Sequence, residues 1–361
     1  MTTIVDVAQA AGVSISTVSR VLNNSEHPVS EDARQRVLEA VAALHYSPSA
    51  LARAMITQDT RIIGVIVGDN EDPFFASIVR GAEDVARGLG FLVIVCNSDR
   101  QPDMIVQYVK TLNEYRVDGI IFAGGGLTDS EYNEEMARLL AVLRGRKCAI
   151  VSLGQQVYPG VVVSCDEALA VKDATRYLIR LGHRRICYIS GSNNITTSEL
   201  RLSGYRQALE ENGISFDARL VFAGDYSLES GQAAAEQILR MEPMPSAVLA
   251  STDQMAIGCL VALKAAGLAI PKEISVMGVN DITHAHCLDP SLTTVSLNMY
   301  AMGACGIEYL VKLRNGEIGD DFCYTIQHEI VVRQSTAPPH GHSVSVAPAT
   351  ADLAKALARD A

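Results

Sequence analysis

Residues 4–24, IVDVAQAAGVSISTVSRVLNN, decide how the rest of the chain is to be read. Ile4, Val7, Ala8 and Ala11 recur at helical spacing and predict a short helix with one apolar face. Gly12 interrupts the pattern, and Val13 adds one more apolar anchor. Ser14 suits the N-cap of a second helix, because its hydroxyl accepts a backbone N–H that has no helical partner. That second helix buries Val18, Val21 and Leu22 and leaves Ile15, Ser16, Thr17, Ser19 and Arg20 outside. Two short helices, a glycine turn and an exposed face of small polar residues with one arginine form the pattern of a helix-turn-helix. The competing reading is a surface hairpin that merely packs. Such a hairpin rarely leaves so many outward positions without charge. The expectation is therefore a helix offered to a DNA major groove.

Working outward, residues 25–29 read as a loop and Ser30 as the cap of a third helix, with Glu31 and Asp32 in the first turn where the helix dipole favours anions. Ala33, Val37, Val41 and Leu44 give that helix a buried stripe and close a three-helix head over 1–47. Pro48 then opens the short segment SALARAMI, part of a hinge over 48–58. Eight residues are too few for a helix that is stable alone, so its order is expected to come from DNA or from a second copy.

The charge pattern limits how this head can bind. The chain of 361 residues carries a net charge of −11, which argues against nucleic-acid affinity spread over its whole surface. Within the first 60 residues, four arginines stand against six acids, a balance of −2, and the first lysine is Lys110. DNA-binding modules are usually basic. Binding here must lean on a few placed arginines, helix N-termini and hydroxyls.

From Arg61 the rhythm changes to strand and helix in alternation. IIGVIV, FLVIVCN, DGIIFAG and KCAIVSL read as buried strands separated by helical runs, and a second series begins at VVVSC. Such alternation predicts doubly wound parallel sheets, and two series predict two lobes. The expected core covers 59–334, with an N-lobe over about 59–159 and 292–319 and a C-lobe over about 160–291 and 320–334. Small ligands bind at the carboxyl ends of strands in such sheets. Residues 335–361 are rich in Pro, Ser and Ala and read as a flexible tail. Eight scattered cysteines without a CxxC pair suit buried thiols in a reducing compartment. No apolar run approaches the roughly 20 residues of a membrane helix, and the N-terminus lacks the basic and apolar regions of a secretion signal. A cytoplasmic protein is expected.

The landmarks DVAQAAGVSISTVSRVLNN, HYSPSALARAM, DPFFASIVRGAE, LIRLGHRRICYISG, RLSGYRQAL, LASTDQMAIG, ISVMGVND and LTTV occur in that order. Together they resemble the bacterial lactose/galactose/purine repressor family (LacI/GalR), from Thr3 to about Arg333. The resemblance implies an all-α helix-turn-helix head followed by an α/β core of two doubly wound parallel-sheet lobes, like a periplasmic sugar-binding protein. It implies a transcription regulator, by the family norm a repressor, that binds a palindromic operator as a homodimer. It also implies a small carbohydrate-type effector (a sugar, sugar acid or polyol) in the cleft between the lobes, with no cofactor and no membrane partner. A tetramer would need a C-terminal leucine-heptad helix, and ADLAKALARDA is too short to hold one.

Carried onto this chain, the resemblance makes Ile15, Ser16 and Arg20 the base-reading positions. Thr17, Ser19 and Asn23 hold the phosphate backbone. Ile15 suits a thymine methyl and Arg20 suits guanine O6 and N7. Ala52 lies near the minor groove, and Met55 stands where the family usually wedges a leucine into the central base step. In the cleft, Arg201 matches the ligand-anchoring arginine, whose fork suits paired hydroxyls or a carboxylate. Asn280 stands where the family usually has aspartate and is followed by Asp281. Phe74 and Phe75 match ligand-lining aromatics, with packing of their helix as the competing role. Tyr226 covers the ligand from the second lobe. Asp253 is either a ligand contact or a helix cap, and Asp69 either a cleft residue or a solvated loop acid.

Other chemistry finds less support. His284, His286 and Cys287 have metal-ligand side chains but lie in a loop that the resemblance places in a region variable across the family. Gly124–Gly126 follow a strand without the Lys-Ser/Thr of a phosphate loop and are better read as the cleft floor. No nucleophile elbow, HExxH or dinucleotide fingerprint occurs, so an enzyme is not expected. An exported transport protein on the same core would lack the DNA-binding head.

Overall fold

The computed structural model describes residues 2–22, 27–47 and 59–339. Asn23, Ala52 and Met55, and the hinge over 48–58, lie outside the described residues. The chain divides into a head that ends at Thr60 and a body that begins at Arg61.

The head is built from α1 (Ile4–Ala11), α2 (Ile15–Leu22) and α3 (Glu31–Ala43). Thr3 and Asp6 form a capping box at the start of α1, with the Thr3 N–H donating to the Asp6 carboxylate at 2.8 Å. Those hydrogen bonds from Thr3 hold the Asp6 carboxyl below its usual pKa. Gly12 ends α1 with φ +61°, a conformation that costs glycine nothing and lets its N–H reach back to Ala8 and Gln9. The Ser14 hydroxyl caps α2 by accepting from the Thr17 N–H at 3.2 Å, and Ser30 caps α3 through Ala33 at 3.3 Å. Val7, Ala8, Ala11, Val18, Val21, Val37 and Ala40 are buried together as the core.

The body contains two six-stranded sheets. The first orders its strands β11 (Cys323–Ile326), β5 (Val161–Cys165), β4 (Ala149–Leu153), β3 (Gly119–Ala123), β1 (Ile62–Val67) and β2 (Leu92–Asn97), all parallel. The second orders β12 (Glu329–Val331), β10 (Thr293–Ser296), β9 (Ser275–Asn280), β8 (Ala247–Ala250), β6 (Ile186–Ser190) and β7 (Val221–Ala223), parallel except for the β10–β12 pair. Helices α4 (Pro73–Gly88), α5 (Pro102–Glu114) and α6 (Ser130–Gly145) belong to the first lobe. Helices α7 (Glu167–Arg180), α8 (Thr196–Glu211), α9 (Leu228–Ile238) and α10 (Asp253–Ala265) belong to the second. Helix α11 (Met299–Arg314) returns to the first lobe and packs on α4. The inner strands are buried on both faces, as their near-continuous apolar runs require. Both sheets reverse direction beside their first strand, β1 or β6, and ligands bind beyond the strand ends at such switch points.

Three connections cross between the lobes, after Cys165, after Ser296 and after Ile326. The lobe boundaries expected at 159/160, 291/292 and 319/320 therefore move. VVVSC, expected to open the second series, is β5 and pairs with β4 of the first sheet through Val151 and Val161. β10 belongs to the second sheet and β11 to the first. A period-two apolar pattern identifies a strand but not the sheet it joins, because that choice is made by long-range pairing.

The expected tail over 335–361 also changes at its start. Ser335 is fully buried; its hydroxyl accepts from the Thr293 N–H at 2.8 Å and donates to the Val276 carbonyl at 2.5 Å. The Ala337 carbonyl accepts from Ser275 at 3.0 Å and is 2.9 Å from the His183 ring Nε2. Polar composition read as solvated linker is here a set of hydrogen-bonding groups stitched to the second sheet. All eight cysteines are free, and Cys287 and Cys323 are exposed rather than buried. Burial pushes the Cys187 thiol up to about 12. No helix among the described residues is long and apolar enough to cross a membrane.

Candidate functional site: a recognition helix and an interlobe cleft

On α2 the outward side is the one expected. Ile15 is 48% exposed, Ser16 and Arg20 are exposed, and Thr17 and Ser19 are half-buried at the edge of the helix. The Ser14 hydroxyl lies 2.8 Å from that of Ser16 and 2.9 Å from that of Thr17. Those contacts orient the first-turn hydroxyls before any partner arrives. Arg20, in the last turn, extends the outward face and is the one charged group on α2.

The cleft of the body is a cavity of about 110 Å³ between the carboxyl ends of the two sheets. Gly68 follows β1, Ser98 and Arg100 follow β2, Gly124 to Gly126 follow β3, and Gln156 follows β4. From the second lobe come Glu167 at the start of α7, Arg201 on α8, Tyr226 after β7, Thr252 after β8 and Asn280 at the end of β9. Apart from Arg201, which projects from within α8, the wall groups follow strand ends, where the sheet fixes the backbone that carries them.

Arg201 is the centre of the second-lobe wall and is only 3% exposed. Its Nε donates to Glu167 Oε2 at 2.7 Å, its Nη1 to the Ser251 carbonyl, and its Nη2 to Asn280 Oδ1 at 3.4 Å. On the other wall, Arg100 Nη2 donates to Asp72 Oδ2 at 3.1 Å. Its guanidinium carbon stands 5.7 Å from the Phe75 ring centre and 5.4 Å from that of Tyr226. Arg100 therefore touches an aromatic from each lobe. Phe74 meets Phe75 edge to face at 4.9 Å, and the Tyr226 hydroxyl lies 2.5 Å from that of Ser198. Burial raises the Asp72 carboxyl and the Tyr226 hydroxyl above their ordinary values.

The two lobes meet across the mouth of the cleft by backbone contacts. Thr196 N–H donates to the Gly126 carbonyl at 2.9 Å, and Thr128 N–H to Asn194 at 3.0 Å. The Thr196 hydroxyl donates to the Gln155 carbonyl at 2.8 Å. A side chain at Gly125 would place its Cβ 2.3 Å from the Thr197 hydroxyl. The glycine run expected as a cleft floor is thus also a place where the lobes are in direct contact.

Of the expected effector residues, Phe74, Phe75, Arg201, Tyr226 and Asn280 line one cavity, and Asp69, Asp253 and Asp281 do not. Asp69 faces Arg100 at 3.7 Å from outside the cavity. Asp281 is paired with Arg333 at 2.6 Å. Asp253 is fully buried, accepting from the Thr294 hydroxyl at 2.5 Å and the Ile282 N–H at 2.8 Å. Nor is Asp253 the helix cap: Thr252 fills that role for α10 by accepting from Met255. Sequence reasoning missed Asp72, Arg100, Gln156, Glu167 and Thr252. Asp72 and Thr252 could have been found as N-caps in the connections that follow β1 and β8. Among the described residues, no group of histidine, cysteine and carboxylate side chains, His284, His286 and Cys287 included, is placed to hold a metal.

Comparison with known proteins agrees with both halves of this arrangement. Residues 3–49 match the profile of bacterial regulatory proteins of the lacI family, and residues 60–327 match that of periplasmic binding proteins and the sugar-binding domain of the LacI family. The chain belongs to the LacI family. It is similar to the HTH-type transcriptional regulator RegA of Clostridium saccharobutylicum, with 35% identity over 93% of this chain and 99% of that protein. It is similar to catabolite control protein A of Priestia megaterium, with 33% identity over 92% of this chain and 99% of that protein. Among solved structures, a lac repressor dimer bound to operator and an anti-inducer shares 28% identity over 93% of this chain and 99% of that one, with a TM-score of 0.83. A cellobiose complex of the regulator CelR shares 29% identity over 93% of this chain and all of that one, with a TM-score of 0.69. This LacI-family chain therefore has a DNA-binding head and a ligand-binding body, and its relatives are transcriptional regulators rather than enzymes.

Proposed function

We propose that this LacI-family chain is a cytoplasmic repressor that binds a palindromic operator as a homodimer and responds to a small carbohydrate held between its lobes. Ile15, Ser16 and Arg20 read bases, while Thr17, Ser19 and Asn23 grip phosphates. Ala52 and Met55 act at the centre of the operator. The observation that carries this reading is the presence, in one chain, of an outward α2 and a two-walled cleft anchored on buried Arg201.

Control follows from linkage. An effector that prefers one arrangement of the two lobes shifts the population toward it. The hinges join each body to its head, so a changed lobe arrangement changes the spacing of the two heads over the operator. The same coupling free energy must then appear as a change in effector affinity on DNA.

The test is selection of operator sequences from a random duplex library with the full chain, followed by competition binding with Arg20→Ala. Arg20→Ala is expected to lose about 1–3 kcal/mol and to relax preference at one base pair per half-site. Equal loss on every operator variant would mean that Arg20 contacts only phosphate.

A further inference from the structure

The charged side chains that line the cleft are matched in pairs. Asp72 and Arg100 meet at 3.1 Å across the first-lobe wall, and Glu167 and Arg201 at 2.7 Å across the second. The second pair is deep, with its side chains 11% and 4% exposed. Each nitrogen of the Arg201 fork has a partner, because the Ser251 carbonyl and Asn280 Oδ1 accept from its other two, and each terminal nitrogen keeps one further N–H. An anionic ligand at Arg201 would add a second negative charge beside Glu167, and a charge without its own compensation at that depth is strongly unfavourable. Arg100, 28% exposed, donates one hydrogen bond to Asp72, with Asp69 at 3.7 Å and the Phe75 and Tyr226 rings near its guanidinium.

What remains of the wall is uncharged. Phe74, Phe75 and Tyr226 contribute aromatic rings to the lining, and Gln156, Thr252 and Asn280 contribute amide and hydroxyl groups suited to sugar hydroxyls. Resting on the carbohydrate reading above, we infer that the cleft selects an uncharged sugar or polyol over its acid or phosphate derivatives, and that Glu167 and Asp72 set this preference by pairing with Arg201 and Arg100.

The experiment is calorimetric titration of the full chain with neutral hexoses, pentoses and their alditols, the uronic and aldonic acids of the same sugars, and their phosphates. Wild type is expected to bind a neutral member at least tenfold more tightly than its acid or phosphate derivative. Glu167→Gln keeps the side-chain shape but uncovers the Arg201 charge, and is expected to erase at least tenfold of that preference. Asp72→Asn, which preserves the cap of α4, serves as the second variant should Glu167→Gln not fold. An acid or phosphate bound as tightly as its neutral parent by wild type overturns the inference while leaving the carbohydrate reading in place. Folded variants that keep the full wild-type preference also overturn it, since the paired carboxylates would then not set the selection. Silence across the whole panel overturns the carbohydrate reading and the inference with it.

Discussion

Arg201 and Glu167 form a 2.7 Å ion pair at the inner end of the cleft, linking the middle of α8 to the crossover that leaves the first sheet after β5. The pair is structural as well as ligand-facing. Removing one partner of a buried pair leaves the other charge without compensation, which typically costs about 3–5 kcal/mol. Glu167→Ala is therefore expected to destabilise the body more than the double change with Arg201→Met, and urea unfolding of the four-member cycle measures the difference. Additive losses would mean that the two side chains do not support each other.

Gly125 is where the lobes come together, with a Cβ meeting the Thr197 hydroxyl at 2.3 Å. Gly125→Val should hold the lobes apart and weaken the bonds that Thr196 makes to Gly126 and Gln155. A larger radius of gyration by small-angle scattering, with a loss of effector affinity of at least tenfold, is the expected pair of results. An unchanged radius with intact binding would show that the loop yields without opening the cleft.

Asp253 ties α10 to Ile282 and Thr294, and burial drives its carboxyl up to about 6. An unfolded aspartate titrates near about 3.9. The folded value is thus the higher one, so this residue favours the fold most below about pH 4, and that advantage is lost as pH rises through about 6. Asp253→Asn removes the titration. Wild type should gain on the order of 1–3 kcal/mol relative to Asp253→Asn between pH 7 and pH 4, read from urea midpoints at each pH. A difference that does not vary with pH would place the Asp253 titration outside this range.

Ser335 bonds both Thr293 and Val276. Ser335→Ala leaves two buried backbone groups with a lost partner, at a cost of about 1–3 kcal/mol. Hydrogen exchange at the Thr293 amide should accelerate most, because that N–H loses its acceptor directly. Protection equal to wild type would mean that another acceptor replaces the hydroxyl.

These residues also show where a sequence is legible. The caps at Ser14 and Ser30 and the apolar stripe of α1 are local, so spacing alone finds them. Arg201 could be placed because its RLSGY motif carries the family resemblance, and Tyr226 only by its alignment between two such motifs. Glu167 could not: in sequence it reads as an acid in the first turn of a helix, and its partner lies 34 residues away. Arg100 reads as a loop arginine until Asp72 and Tyr226 fold against it. Asp253 and Asp281 stand beside the cleft motifs, yet their side chains turn toward Thr294 and Arg333. The assignment of β5, β10 and β11 to their sheets depends on pairing across the crossovers, which no local pattern encodes.

The central claim is that occupancy of the cleft controls the affinity of α2 for DNA. Fluorescence anisotropy of a selected operator, titrated with the full chain in the presence and absence of a bound sugar, tests it most directly. Wild type should change its operator affinity by at least about fivefold, the low end of ordinary allosteric coupling. Arg201→Ala should bind the operator as wild type does without sugar and show no response to it. An identical sugar response in Arg201→Ala, or an operator affinity in wild type that sugar binding leaves unchanged, would contradict the account.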